Sequence, residues 1–234
     1  MVDVLYSLVD VNQRFDKLLL DPLYIRNLDM TSMTMKSCFD LVYSIENKVL
    51  SRISKNILPR IHHQVNELTL EQDSMERILH RIHYPQHYSL SLIDFQEEVL
   101  IKYLTVDGRL NCLSTLKIYV DNIAYTSATI DSTKKLPKLK HFTLCSYART
   151  VAYDNRIVRL LRRMINLEEL ILFLSIIRTD SNYIDGIQLY DSILIYMARL
   201  NKFTFSIDTN QANRNHISSI RNQDILQLIQ YINI

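Results

Sequence analysis

Three observations predict an α/β fold built from repeated strand–helix units. A six-residue apolar pattern returns along most of the chain, the advance between copies is fairly regular, and the intervening segments show helical periodicity. The pattern is apolar-x-x-apolar-x-apolar. It reads Val65-Asn66-Glu67-Leu68-Thr69-Leu70 first and recurs around Leu90-Ser91-Leu92. It then appears as Leu113 to Ile118, Leu139 to Leu144, Leu167 to Leu172 and Leu200 to Phe205. The middle apolar residues Leu68, Leu90, Leu116, Phe142, Leu170 and Phe203 lie 22, 26, 26, 28 and 33 residues apart. Parallel strands need a crossover of about a dozen residues or more between them. Self-similarity at a period of about 20–50 residues marks a repeat architecture. The expected fold is an irregular leucine-rich-repeat solenoid with a short helical N-terminal cap. Such a fold presents a broad binding surface in place of a catalytic cleft.

The elements follow in order. Leu5, Leu8, Val11, Phe15, Leu18 and Leu19 fall at helical steps, so residues 3–20 are expected to form one amphipathic helix. Asp21-Pro22 should end it, because the residue before proline is pushed out of the α region. Ile25 to Met30 fits the strand pattern as a divergent first copy, and Thr31 to Ser37 reads as a loop. Leu41, Ile45, Val49, Ile53 and Ile57 predict a helix over 40–57, closed by Pro59. Further helices are expected over 74–83, where Asp73 can cap the N-terminus, and over 96–104, 155–165, 187–197 and 223–232. Residues 122–135 read as a loop with short helical turns. The predicted organisation is a segment 1–24 followed by a repeat domain 25–234. Its strands are expected near 25–30, 65–70, 88–93, 113–119, 139–145, 167–173 and 200–206.

Composition narrows the function. Of 234 residues, 47% are apolar and 22% charged, as in an ordinary globular protein. Only two glycines occur, Gly108 and Gly186, so a phosphate-cradling loop, a dinucleotide fingerprint and a G-x-S-x-G elbow are all absent. A net charge of +2 does not by itself call for nucleic acid or an anionic membrane. Cys38, Cys112 and Cys145 are odd in number and far apart, which fits neither a disulfide framework nor a metal-spaced pair. The best apolar stretch, Leu170 to Ile177, contains Ser175 and is too short to span a bilayer. The N-terminus carries Asp3 and Asp10 without a basic lead, unlike a secretory signal. A cytoplasmic or nuclear protein is expected.

Within each strand copy, the residues between the core positions should face outward on the concave side of the sheet. They are Thr69, Ser91, Lys117, Thr143, Ile171 and Thr204, followed by Glu71, Ile93, Tyr119, Cys145, Phe173 and Ser206. Tyr119, Ile171 and Phe173, with Lys117 and Glu71 as polar company, have the composition of a protein-binding hot spot. The alternative is that a neighbouring loop covers Ile171 and Phe173. The position of the asparagine ladder that ties regular repeats together holds Asp73, Phe95, Asp121, Tyr147, Ser175 and Asp208 instead. Variable curvature is the expected result.

The segment Val4 to Tyr24 resembles the second half of an F-box. In that family a Leu/Val-rich helix leads through Val-x-x-x-Arg-Phe/Trp to an Asp-Pro and an aromatic; Val9, Arg14, Phe15, Asp21, Pro22 and Tyr24 match. With the repeats behind it, the chain is similar to F-box/leucine-rich-repeat proteins. The resemblance implies docking to a Skp-type adaptor of a cullin (SCF) ubiquitin ligase through Arg14 and Phe15, with a protein substrate held on the repeats. The first F-box half, a Leu-Pro and a Leu/Ile-Phe helix, would precede residue 1. Either Met1 is internal to a longer chain, or ligase docking is lost and binding kept.

Other clusters carry less. His80, His83 and His87 have near-helical spacing, yet Pro85 interrupts them and no carboxylate or cysteine completes a zinc set, so no metal is expected. His62-His63 is a weaker pair still. Arg156, Arg159, Arg162 and Arg163, with Lys134, Lys135, Lys138 and Lys140, could meet phosphates or an acidic degron. They are expected instead to form a solvated outer face, without aromatic interleaving for base stacking. No catalytic residue, metal or cofactor is expected, and the chain reads as a non-enzyme. Two other readings stay open: a repeat scaffold without a ubiquitin link, and a basic-face nucleic-acid binder.

Overall fold

The computed structural model describes residues 2–31, 47–79, 89–93, 95, 113–120, 135–151, 153–178, 184, 186–211 and 214–220. The expected helices over 96–104 and 223–232, the loop 122–135 except its last residue, the histidines at 80, 83 and 87, and Cys38 and Cys112 lie outside them. The chain is α/β and divides into two compact units, Met1–Asp94 with Cys112–Thr115, and Phe95–Asn111 with Leu116–Ile234.

In the first unit, three parallel strands lie side by side in chain order: β1 (Asn27–Asp29), β2 (Glu67–Glu71) and β3 (Ser89–Ile93). Leu28 pairs with Leu68, and Leu68 with Leu90, so equal positions of the sequence pattern stand opposite each other. Pairing begins at the same pattern position too: Glu67 N–H donates to the Arg26 carbonyl at 2.9 Å and Ser89 N–H to that of Asn66 at 2.7 Å. Leu28, Leu68, Leu70, Leu90 and Leu92 are all buried. The divergent first copy therefore does act as a strand.

The N-terminal segment differs from the expected single helix. It forms α1 (Val2–Leu8) and α2 (Gln13–Leu19), followed by a short α3 (Pro22–Ile25). Two residues cause the break. Asp10 takes a left-handed φ of 67°, which no helix accommodates. Asn12 then caps α2, its side-chain oxygen accepting from Arg14 N–H and Phe15 N–H at 3.0 Å each. With the helical phase reset, Leu5 and Val9 are buried while Val11 and Leu18 are more than half exposed.

Pro59 does not close the next helix either. α4 (Asn47–Arg52) runs into a π-helical turn, Ile53–Ile57, and then α5 (Leu58–Ile61). Proline sits in the first turn of α5, where its missing N–H needs no partner, and the π turn absorbs the change of phase. Ile53, Ile57, Leu58 and Ile61 stay buried throughout. α6 (Gln72–Leu79) starts directly after β2, with Met75, Ile78 and Leu79 buried.

The second unit carries β4 (Thr115–Val120) from Leu116 onward, β5 (His141–Thr150), β6 (Glu169–Arg178), β7 (Lys202–Gln211) and β8 (Arg214–Ile220), again in chain order. β5, β6 and β7 are parallel, with Phe142 opposite Leu170 and Leu170 opposite Phe203. β8 turns back antiparallel to β7, a strand that the repeat pattern does not contain. β5–β7 are ten residues long, well past the expected ends. Without asparagines to turn the chain out of the sheet, pairing continues through Ser175 and Asp208 to Arg178 and Gln211. β5 keeps up only through an irregularity between Cys145 and Arg149.

The segments between these strands supply the other side of the core. Residues 155–165 are expected as one helix; the structure has a π turn, Tyr153–Ile157, followed by a short helix, Val158–Leu161. Ile157, Leu160, Leu161 and Met164 are buried as the periodicity requires, whereas Ile165 is exposed. After β6 come the helix Gly186–Ser192 and a 3-10 turn, Leu194–Tyr196, with Leu189, Ile193 and Met197 inward. The arginine segment departs from the expected solvated face. Arg159 is exposed, but Arg156 and Arg163 are buried among these apolar residues.

Candidate partner-binding face

Alternation along β4–β7 determines which side chains face away from the core. On β4, Leu116, Ile118 and Val120 are buried, leaving Lys117 and Tyr119 half-buried between them. On β6, Leu170, Leu172 and Leu174 are buried, Ile171 is half-buried, and Phe173 is 44% exposed. Registry fixes their neighbours: Ile171 lies between Thr143 and Thr204, and Phe173 between Cys145 and Ser206. The result is an aromatic ring standing on a strip of small, mostly polar side chains. Phe173 is not covered by any loop among the described residues, and its exposure is what partner contact requires.

Salt bridges fix the entry end of these strands. Lys140 Nζ contacts Glu168 at 2.9 Å, and Lys202 Nζ contacts Glu169 at 2.5 Å. Lys140 holds the Glu168 carboxyl below the usual carboxylate range, mainly through their hydrogen bond. Cys145 is half-buried, and burial pushes its thiol pKa up. A thiol of that kind is a poor nucleophile at neutral pH.

Glu71 belongs to the first unit and is buried. α6 begins at the next residue, and the Ser74 hydroxyl accepts from Glu71 N–H at 3.1 Å while donating to its carbonyl at 2.9 Å. That turn folds over the end of β2 and removes Glu71 from the exposed row. Ser91, opposite Thr69, is also buried. Among the described residues on the outward sheet face, Phe173 is the most exposed large apolar side chain.

Arg14 and Phe15 open α2, both exposed. The helix pair that carries them is tied down by two arginines of the α4–α5 segment. Arg60 donates to Asp10 at 2.8 Å and to Asp16 at 3.2 Å. Arg52 donates to the Val9 carbonyl at 2.8 Å, with its guanidinium carbon 5.1 Å from the centre of the Tyr6 ring. The Asp16 carboxyl also accepts from Asp10 N–H at 2.8 Å. Around Phe15, the structure exposes Leu18, Leu23 and Tyr24 at 54%, 76% and 51%. Sequence reading assigns Leu18 to a core stripe; the helix break at Asp10 puts it outside, and the one local signal of that break is the capping residue Asn12.

His62 Nδ1 lies 3.0 Å from the Pro59 carbonyl and His63 Nε2 lies 3.0 Å from Gln64. Among the described residues, no three His, Cys, Asp or Glu side chains gather to hold a metal. No helix among them is long and apolar enough to cross a membrane. No protein-family model and no curated protein matches the chain.

Proposed function

We propose that the chain is an irregular leucine-rich-repeat solenoid acting as a non-catalytic recognition module. Its role would be that of the substrate-binding subunit of a cullin-type ubiquitin ligase, working in the cytoplasm or nucleus. The observation that carries the repeat reading is registry. Strand after strand pairs at the same pattern position, as Leu28–Leu68–Leu90 and Phe142–Leu170–Phe203 do. Stacked copies of one motif produce this pairing, and a sheet assembled from unrelated strands has no reason to.

The mechanism is positioning. A protein target sits on the outward face at Lys117, Tyr119, Ile171 and Phe173, while Arg14 and Phe15 meet a Skp-type adaptor. Ubiquitin chemistry happens on other subunits. The exposed apolar surface of Phe15, Leu18, Leu23 and Tyr24 supports the adaptor contact, since exposed patches of this kind mark interaction sites. Burial of Arg156 and Arg163 removes half of the arginine face from reach and weighs against the nucleic-acid reading.

The test mixes the purified full chain with a Skp-type adaptor and its cullin. A co-eluting complex that Phe15→Asp abolishes is the expected result. Lack of a complex overturns the ligase assignment and leaves a binding scaffold without a ubiquitin link. For the outward face, Phe173→Ala and Tyr119→Ala should weaken capture of the bound target while a cooperative thermal transition persists.

A further inference from the structure

The segment that follows β6 carries a second apolar stripe, separate from the outward sheet face. Leu189, Ile193 and Met197 are buried and recur every four residues, which is the core stripe of this segment. Ile187, Ile195 and Tyr196 belong to the other side and are 62%, 55% and 47% exposed. Single exposed apolar residues are ordinary. Three within ten residues, beside fixed cations, are not.

The cation at the centre is Arg162. Its guanidinium carbon lies 4.6 Å from the centre of the Tyr196 ring, and its Nε donates to the Ser192 carbonyl at 2.9 Å. Lys135 Nζ donates in turn to the Arg162 carbonyl at 3.1 Å. With Nε committed, the guanidinium keeps the N–H donors of its two terminal nitrogens. Because Arg162 is half-buried and already oriented, little ordering remains to be done when an acceptor arrives. Arg159, one helical turn before it, is exposed and adds charge on the same side. Against these three cations stands the exposed Asp191.

The geometry points to a second docking surface, built from Arg162, Lys135, Tyr196, Ile195 and Ile187. Its partner is an acidic amphipathic protein segment, which places a carboxylate on Arg162 and lays apolar side chains along Tyr196 and Ile195. Charge complementarity selects the acidic partner, and the aliphatic pair selects a peptide over a nucleic acid. One face of the Tyr196 ring is taken by Arg162, and three cations neutralise few phosphates. A nucleic-acid site needs open rings and a longer basic track.

The probe is a fluorescent helical peptide carrying Glu and Leu at i, i+3 and i+4 spacing, titrated onto the full chain by anisotropy. A copy with Gln for every Glu serves as its partner probe. The acidic peptide should bind, and the Gln copy should bind about tenfold more weakly, the loss expected for charge-assisted hydrogen bonds. Arg162→Gln should produce a similar loss. Ile195→Asp, at an exposed position that leaves the fold alone, should do so independently. Phe173→Ala should change nothing, which separates this surface from the outward face. Lack of binding, equal binding of both peptides, indifference to Arg162→Gln and Ile195→Asp, or displacement by an equimolar RNA oligonucleotide would each overturn the assignment.

Discussion

Phe173 and Leu172 are neighbours on β6 with opposite environments. Leu172 is fully buried and Phe173 stands out on a strip of small side chains. Leu172→Ala should therefore cost about 2–5 kcal/mol through lost burial and the cavity left behind. Phe173→Ala should stay within about 0.5 kcal/mol. Denaturant unfolding of the two variants checks the contrast, and a large loss for Phe173→Ala would make it a core residue. At this scale the sequence was highly legible: period-2 alternation sorted Leu116, Ile118, Leu170 and Leu172 from Ile171 and Phe173. It was blind to Arg156 and Arg163, because four arginines on a short segment look solvated until tertiary packing closes over two of them.

The N-terminal helix pair shows what local pattern leaves out at the scale of elements. Leu5 to Leu18 carries a continuous helical period, yet Asp10 and Asn12 break it into α1 and α2. The partners that favour the break, Arg52 and Arg60, come from some forty to fifty residues away. No window of sequence contains both sides. Asn12→Ala should lose about 1 kcal/mol, since the cap satisfies two orphan N–H groups; thermal unfolding reads it. The Asp16 carboxyl is held below the ordinary carboxylate range, first by Asp10 N–H and then by Arg60. The unfolded chain therefore binds more protons on acidification, so this contribution is whole above about pH 4. It is lost as pH falls through the lowered value. The Tm difference between the natural chain and Asp16→Asn should shrink accordingly on acidification. A difference that does not vary with pH would remove the carboxylate from the account.

Within each unit, order in the sheet follows order in the chain, so strands adjacent in sequence are adjacent in the sheet. In the second unit β6 is paired over its full length with β7 and over most of it with β5. Its amides should exchange more slowly than those of β8, which the structure pairs with β7 alone among the described residues. Faster exchange in β6 than in β8 would contradict that pairing. The strand starts were readable in advance because the same apolar spacing returns along the chain. The ten-residue strands and the antiparallel β8 were not, since both depend on what the connections fail to do after the pattern ends. At the start of β5, β6 and β7 the registry is shared. His141 and Phe142 stand to Glu169 and Leu170 as those stand to Lys202 and Phe203. A chain shortened by one whole copy, residues 169–201, would bring β7 against β5 with every inward and outward side chain still in phase. Removing or adding such a unit would therefore leave the apolar phase of the seam between β5 and β7 intact.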